Sequence, residues 1–120
     1  MKVSTAIGDI RSFDNVFEAC VDQDLVFHTA AMSGIWGPWK QFHGTNTIGT
    51  RNVVEACLQH QIKRLIYTSS PSVTFDGHHQ RNTDESAPYA KDWLCHYPHS
   101  KALAEKFVLN ANDEQKLMTC

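Results

Sequence analysis

Hydrophobic and polar positions along this chain fall into alternating strand-like and helix-like blocks. Residues 3–7 form a short apolar stretch that ends at Gly8-Asp9-Ile10. Ser12 then stands where an N-cap belongs, ahead of Phe13, Val16 and Phe17 at helical spacing, which predicts a helix through Cys20. Asp24 precedes Leu25-Val26-Phe27, a continuous apolar run that reads as a buried strand and breaks into Thr29, Ala30 and Ala31. The turn formers and aromatics of 33–39 predict a loop. From 47 to 58, Thr50, Val53, Val54, Cys57 and Leu58 share one helical face. Residues 64–68 read as the next strand, stopping at Ser69-Ser70-Pro71, and the polar stretch 76–88 reads as a surface loop. A last helix is predicted from near Pro98 to Asn110, with Leu103, Ala104, Phe107 and Val108 as its buried face. Residues 116–120 look like the start of one more strand.

This alternation is the pattern of an α/β fold with a parallel sheet. Its middle is one βαβ unit, made of 25–27, 47–58 and 65–68, and such crossovers are right-handed, so the two strands should be parallel neighbours. Their carboxyl ends, at 28–31 and 68–70, then open on one edge of the sheet. That edge is where ligands bind in open α/β sheets.

Composition narrows the classes without choosing among them. At 120 residues the chain is one small domain, and 42% apolar with 20% charged residues describes an ordinary globular sequence. A net charge of -2 gives no electrostatic reason to expect nucleic acid or an anionic membrane as partner. No apolar run is long enough to span a bilayer. Cys20, Cys57, Cys95 and Cys120 lie far apart with no C-x-x-C pair, so they read as free thiols of a reducing compartment and the expected setting is cytoplasmic. The seven histidines lack metal-ligand spacing, and no metal site is expected.

Chemistry concentrates in Tyr97-Pro98-His99-Ser100-Lys101. Positions four apart share a helix face, so the Tyr97 hydroxyl and Lys101 ammonium project toward one region. A tyrosine is a poor base at neutral pH, and a neighbouring ammonium stabilises its phenolate and brings it into range for proton transfer. Ser70, at the end of the preceding strand, could hold the reacting oxygen.

Together, Gly8-Asp9-Ile10, His28-Thr29-Ala30-Ala31, Asn46-Thr47-Ile48-Gly49-Thr50, Tyr67-Thr68-Ser69-Ser70 and Tyr97-Pro98-His99-Ser100-Lys101 resemble the extended short-chain dehydrogenase/reductases, within the NAD-dependent epimerase/dehydratase superfamily. The stretches 63–70 (KRLIYTSS) and 97–112 (YPHSKALAEKFVLNAN) look especially close to the 3β-hydroxysteroid dehydrogenase branch. Gly34-Ile35-Trp36-Gly37 and residues 70–75 are also similar to bacterial relatives that reduce 2-alkyl-3-oxoalkanoates.

The resemblance implies a partial Rossmann-type doubly wound parallel sheet over residues 1–120, carrying the third to fifth strands and the start of the sixth. It implies Tyr97 as general acid/base, Lys101 as its tuner and the holder of the nicotinamide ribose, Ser70 as the serine that orients the substrate oxygen, and Asn46 as the helix asparagine that supports the site. Asp9 and Ile10 match the pair that meets the adenine of NAD or NADP, and Thr29, Ala30 and Ala31 match the backbone along its nicotinamide half. The implied reaction is oxidation or reduction of a CH–OH/ketone centre on a small steroid-like or 3-oxoacyl lipid-like substrate. Nucleotide-sugar epimerisation or dehydration is the second enzymatic reading, and a dinucleotide-sensing scaffold or a truncated inactive product the non-enzymatic one. The family's glycine-rich G-x-x-G-x-x-G turn does not occur in this sequence, whose six glycines fall elsewhere. The first two strands and the C-terminal substrate region are therefore expected to be missing, with the 120-residue chain inactive alone and residues 3–7 either displaced or paired with the 25–27 strand. The resemblance leaves room for a homodimer of a longer parent.

Overall fold

A computed structural model describes residues 3–120. Its first helix, α1 (Phe13–Ala19), starts where Ser12 leaves helical backbone at φ -91° and accepts from the Asn15 amide. Strands β1 (Leu25–His28), β2 (Arg64–Tyr67) and β3 (Met118–Thr119) form a parallel sheet in that order. Val26 pairs with Leu65, His28 with Tyr67, and Leu65 with Thr119. The predicted βαβ unit is therefore present, and both strand ends open on one edge.

The helical segment between β1 and β2 is longer than the sequence pattern suggested. It begins with α2 (Trp39–Phe42), passes through one π-helical stretch at His43–Ile48, and continues as α3 (Gly49–Gln59). Leu58, expected on the inner face, is exposed, while Gly49, Asn52 and Ala56 are buried beside Val53, Val54 and Cys57. Gly49 is there because Ile10 lies against its backbone: a Cβ would sit 2.8 Å from Ile10 Cγ2. Such a contact excludes any larger residue at that turn without displacing Ile10.

After β2 the chain makes a 3₁₀ turn (Pro71–Val73) and a long loop, then α4 (His96–Asn110). Cys95 is the extended cap residue, so the helix starts two residues before Pro98, which occupies its first turn. The inner face differs from expectation. Pro98, Ser100, Lys101, Ala102, Ala104 and Val108 are buried, whereas Leu103 is half-buried and Phe107 exposed. Polar groups with partners on the π-helical stretch and at the end of β2 decide which face turns inward.

Alternation along the strands separates two faces. Val26, His28, Leu65 and Tyr67 point to the helices and are buried or half-buried, while Leu25 and Phe27 on the other face are exposed. Among the described residues, α3 and α4 cover one face of the sheet. Residues 3–7 join no strand, the displaced one of the two arrangements expected for them: Val3 and Ile7 stand in solvent. Without a neighbouring strand their backbone groups turn to water. A groove of about 380 Å³ separates this segment from β1, lined by Ile7, Asp9, Ile10, Val16, Phe27 and Val53. No helix among the described residues is long and apolar enough to cross a membrane.

Candidate active site

Lys101 is the most unusual side chain at the sheet's open edge. It is 2% exposed, its Nζ donates to the Thr68 carbonyl at 2.5 Å, and the ammonium lies 4.2 Å from the centre of the Tyr67 ring. Burial holds its pKa down to about 8, against a smaller opposing pull from Glu105. An ammonium has three donors, so a buried one with a single carbonyl acceptor and a ring face can offer further hydrogen bonds to hydroxyl groups. Tyr97 lies one turn earlier on α4, half-buried, and its hydroxyl takes no hydrogen bond from the described residues. Thr68, which receives the lysine, is two residues from Ser70.

Ser70 caps the 3₁₀ turn in extended backbone; its Oγ lies 2.7 Å from Ser72 Oγ and accepts from the Ser72 amide at 3.3 Å. Helix α4 packs against this turn. The fold thus brings Lys101 to the strand end that carries Ser70 and sets Tyr97 one turn away on the same helix.

Asn46 is 1% exposed within the π-helical stretch, and its amide is fully engaged. Oδ1 accepts from the Met32 amide at 2.7 Å, and Nδ2 donates to the Met32 carbonyl and Ser100 Oγ, each at 2.9 Å. Ser100 Oγ donates in turn to the Tyr97 carbonyl at 2.8 Å, and Thr47 Oγ1 donates to the Ser100 carbonyl at 2.9 Å. Asn46 therefore locks the loop after β1 to the first turn of α4, where Tyr97 sits. The exposed backbone of Thr29, Ala30 and Ala31 is held beside it through Met32.

Asp9 and Ile10 stand apart from these groups, along the groove beside β1. The Asp9 carboxylate is clasped by Arg11, through Nε at 3.0 Å to both oxygens and Nη2 at 2.5 Å, and that bond pulls its pKa down to about 2. The Ile10 carbonyl accepts from Asn52 Nδ2 at 3.0 Å, which ties the segment to α3.

Three buried polar groups near the lysine stand in the motifs of the resemblance with no role assigned to them: His28, Thr50 and Tyr67. Thr50 Oγ1 donates to the Asn46 carbonyl at 2.6 Å, so the 2.8 Å contact with His28 Nε2 has the histidine as donor. Burial and then Lys101 hold the His28 pKa down to about 4, which keeps the ring neutral. The Tyr67 hydroxyl is buried with no hydrogen-bond partner, and burial raises its pKa. Strand alternation would flag His28 and Tyr67, which sit on the inward face in register, and Thr50 lies on the buried face of α3.

On the other side of Tyr97's turn, the His99 ring is stacked between Trp39 at 4.7 Å and Trp93 at 5.3 Å. Trp93 and His99, with Ile35, Trp36 and Leu94, border an aromatic cleft of about 500 Å³. Among the described residues, no cluster of histidine, cysteine and acidic side chains could hold a metal ion, and the four thiols are free.

The profile of the 3-beta hydroxysteroid dehydrogenase/isomerase family matches residues 1–120. The chain is 43% identical over 110 residues to a 2-alkyl-3-oxoalkanoate reductase of Shewanella oneidensis, covering 92% of this chain and 28% of that one. It is 39% identical to the 3beta-hydroxysteroid-dehydrogenase/decarboxylase isoform 1 of Arabidopsis thaliana, over 99% of this chain and 27% of that one. Identity to the human sterol-4-alpha-carboxylate 3-dehydrogenase, decarboxylating, is 37%, over 92% and 30%. Among solved structures, MoeE5 in complex with UDP-glucose and NAD superposes with a TM-score of 0.77 at 26% identity, over 93% of this chain and 38% of that one. The Bordetella bronchiseptica enzyme WbmH in complex with NAD+ gives 0.80 at 24% identity, over 93% and 37%. The chain spans about 30% of the length of the curated relatives it matches.

Proposed function

This chain belongs to the 3-beta hydroxysteroid dehydrogenase/isomerase family, and from that premise we propose that the protein carrying it is a nicotinamide-dependent oxidoreductase. Its reaction interconverts a hydroxyl and a ketone on a steroid-like or 3-oxoacyl lipid-like substrate. The observation that carries the reading is the buried Lys101 ammonium at the end of β2, one helical turn beyond Tyr97. Residues of this chain would hold part of a dinucleotide: Lys101, with donors to spare, its ribose hydroxyls, Thr29–Ala31, exposed at the sheet edge, its nicotinamide half, and Asp9 and Ile10, by the family resemblance, its adenine. When bound, NAD or NADP supplies the hydride acceptor or donor.

The work of the chain's own groups follows from their chemistry. The Tyr97 phenol gives a proton to the substrate oxygen in reduction and takes it in oxidation. Lys101, positive at neutral pH because its pKa of about 8 lies above it, stabilises the phenolate. The Ser70 hydroxyl donates to the substrate oxygen, releasing its Ser72 partner to do so. Asn46 keeps the sheet-edge loop and the Tyr97 turn at a fixed separation.

In the full-length protein, Tyr97→Phe should lower turnover roughly 10²–10⁴-fold while dinucleotide affinity stays within about twofold; unchanged turnover would end the proposal. A nucleotide-sugar substrate is the second reading, favoured by the fit to MoeE5 in complex with UDP-glucose and NAD. Assaying sterols, 2-alkyl-3-oxoacids and nucleotide sugars side by side separates the two. The same reading puts the protein in the cytoplasm, in keeping with its free thiols, without nucleic acid as partner, and leaves room for a homodimer of the full-length protein, with the 120-residue chain inactive alone.

A further inference from the structure

Glu105 stands one turn beyond Lys101 on α4, half-buried, and both oxygens of its carboxylate are engaged. Oε2 accepts from Ser69 Oγ, and Oε1 accepts from the Tyr89 hydroxyl at 2.8 Å. Ser69 is the residue before Ser70 at the end of β2, and Tyr89 belongs to the long loop that leads to α4. One carboxylate therefore joins the strand end, the loop and the helix through charge-assisted bonds, which are shorter and stronger than neutral ones. Lys106, the adjacent cation, lies over the Tyr89 ring at 4.8 Å.

We propose that Glu105 is a positioning residue of the reaction: through Ser69 it fixes the backbone that carries Ser70, and from one helical turn away on α4 it sets a carboxylate beside the buried Lys101 ammonium. The inference rests on the oxidoreductase reading above. Other titratable groups face the same region: His28 from β1, Tyr67 from β2, Tyr89 from the loop, and Tyr97 and Lys106 on α4. His28 is neutral near pH 7 and burial keeps Tyr67 protonated, so neither supplies negative charge. Glu105 is the carboxylate that offsets the burial of Lys101. Losing it leaves the ammonium with a carbonyl and a ring face.

The two actions separate by mutation in the full-length protein. Ser69→Ala keeps the charge and cuts the link, so kcat should fall roughly tenfold, as misplacement of a reacting group does, with KM for the dinucleotide and the pH profile unmoved. Glu105→Gln can keep both hydrogen bonds and removes the charge, so the alkaline limb of kcat should move to lower pH. Glu105→Ala should show both effects. A readout independent of turnover is the 13C-lysine NMR titration of Lys101, whose midpoint should fall in Glu105→Gln. A wild type that turns over, with both Glu105 variants matching it in rate and in Lys101 titration, overturns the proposal. A wild type inert on every substrate class, with Lys101 still titrating lower in Glu105→Gln, overturns the oxidoreductase reading instead and upholds the coupling. The milder Ser69→Ala and Glu105→Gln variants keep the test decisive if Glu105→Ala fails to fold.

Discussion

Lys101 holds a charge where the fold would rather have none. A folded pKa of about 8 against 10.5 for a free lysine means burial disfavours the ammonium by roughly 3 kcal/mol. That cost is fully present below pH 8 and vanishes between about 8 and 10.5, as the buried amine loses its proton. Lys101→Met should therefore raise the unfolding free energy at pH 7 by about 1–3 kcal/mol, with the gain shrinking toward pH 10.5, while turnover is lost. Urea denaturation of both proteins across that range checks it, and a variant less stable at pH 7 would contradict it. His28 works at the acid end. Its folded pKa of about 4 lies below the ordinary 6.5, so stability is lost as pH falls from 6.5 toward 4, up to roughly 3 kcal/mol. His28→Gln, which can still donate to Thr50, should show a visibly flatter acid limb by the same measurement. The one-turn spacing of Tyr97 and Lys101 was legible in the sequence because a helix repeat sets it by short-range geometry. Thr50 stood on the predicted inner face of its helix, but the contacts of His28 with Thr50 and of Lys101 with Tyr67 were not legible, because they join elements far apart in sequence.

Between β1 and β2, the π-helical stretch does what an uninterrupted α-helix would not. Its residues His43-Gly44-Thr45-Asn46-Thr47-Ile48 include poor helix formers, which is why the sequence pattern placed the helix start at Thr47 instead of Trp39. The stretch is held by its partners: Asn46 bonds Met32 and Ser100, and Thr47 bonds the Ser100 carbonyl. Such local widenings often mark functional positions, and here one turns a buried amide toward both the β1 loop and α4. Asn46→Ala leaves the Met32 amide, the Met32 carbonyl and Ser100 Oγ short of a partner, so it should cost about 2–4 kcal/mol. It should also speed hydrogen exchange at the Met32 amide well beyond the change at the centre of α3. Uniform acceleration across both helices would mean that Asn46 supports general stability rather than this junction. Helix α4 shows the converse lesson. Its apolar pattern pointed to Leu103 and Phe107, yet Ser100 and Lys101 face inward because their polar partners wait there.

At the scale of the molecule, the surface is larger than the mass requires. A compact protein of 13.6 kDa exposes roughly 6,600 Å², and this chain exposes 8531 Å². Part of the excess lies on the face of the sheet opposite α3 and α4, where Leu25 is 41% and Phe27 67% exposed, and part on residues 3–7. The sequence reading of 25–27 as a buried strand belongs to a sheet covered on both sides; the described helices cover one. An open, apolar face beside an unpaired strand edge is a template for association. The 120-residue chain produced by itself should therefore self-associate with rising concentration in sedimentation equilibrium. Phe27→Lys puts a charge on that face without touching the buried layer of Val26 and His28, so it should weaken association about tenfold or more, in line with the ~1.5–3 kcal/mol gained by burying a phenylalanine. Its unfolding free energy should stay within about 0.5 kcal/mol of the parent. A wild-type chain that remains monomeric at every concentration would show that this face is satisfied by water alone, and the excess surface would then lie in the segment around Ile7 and the loop after β2.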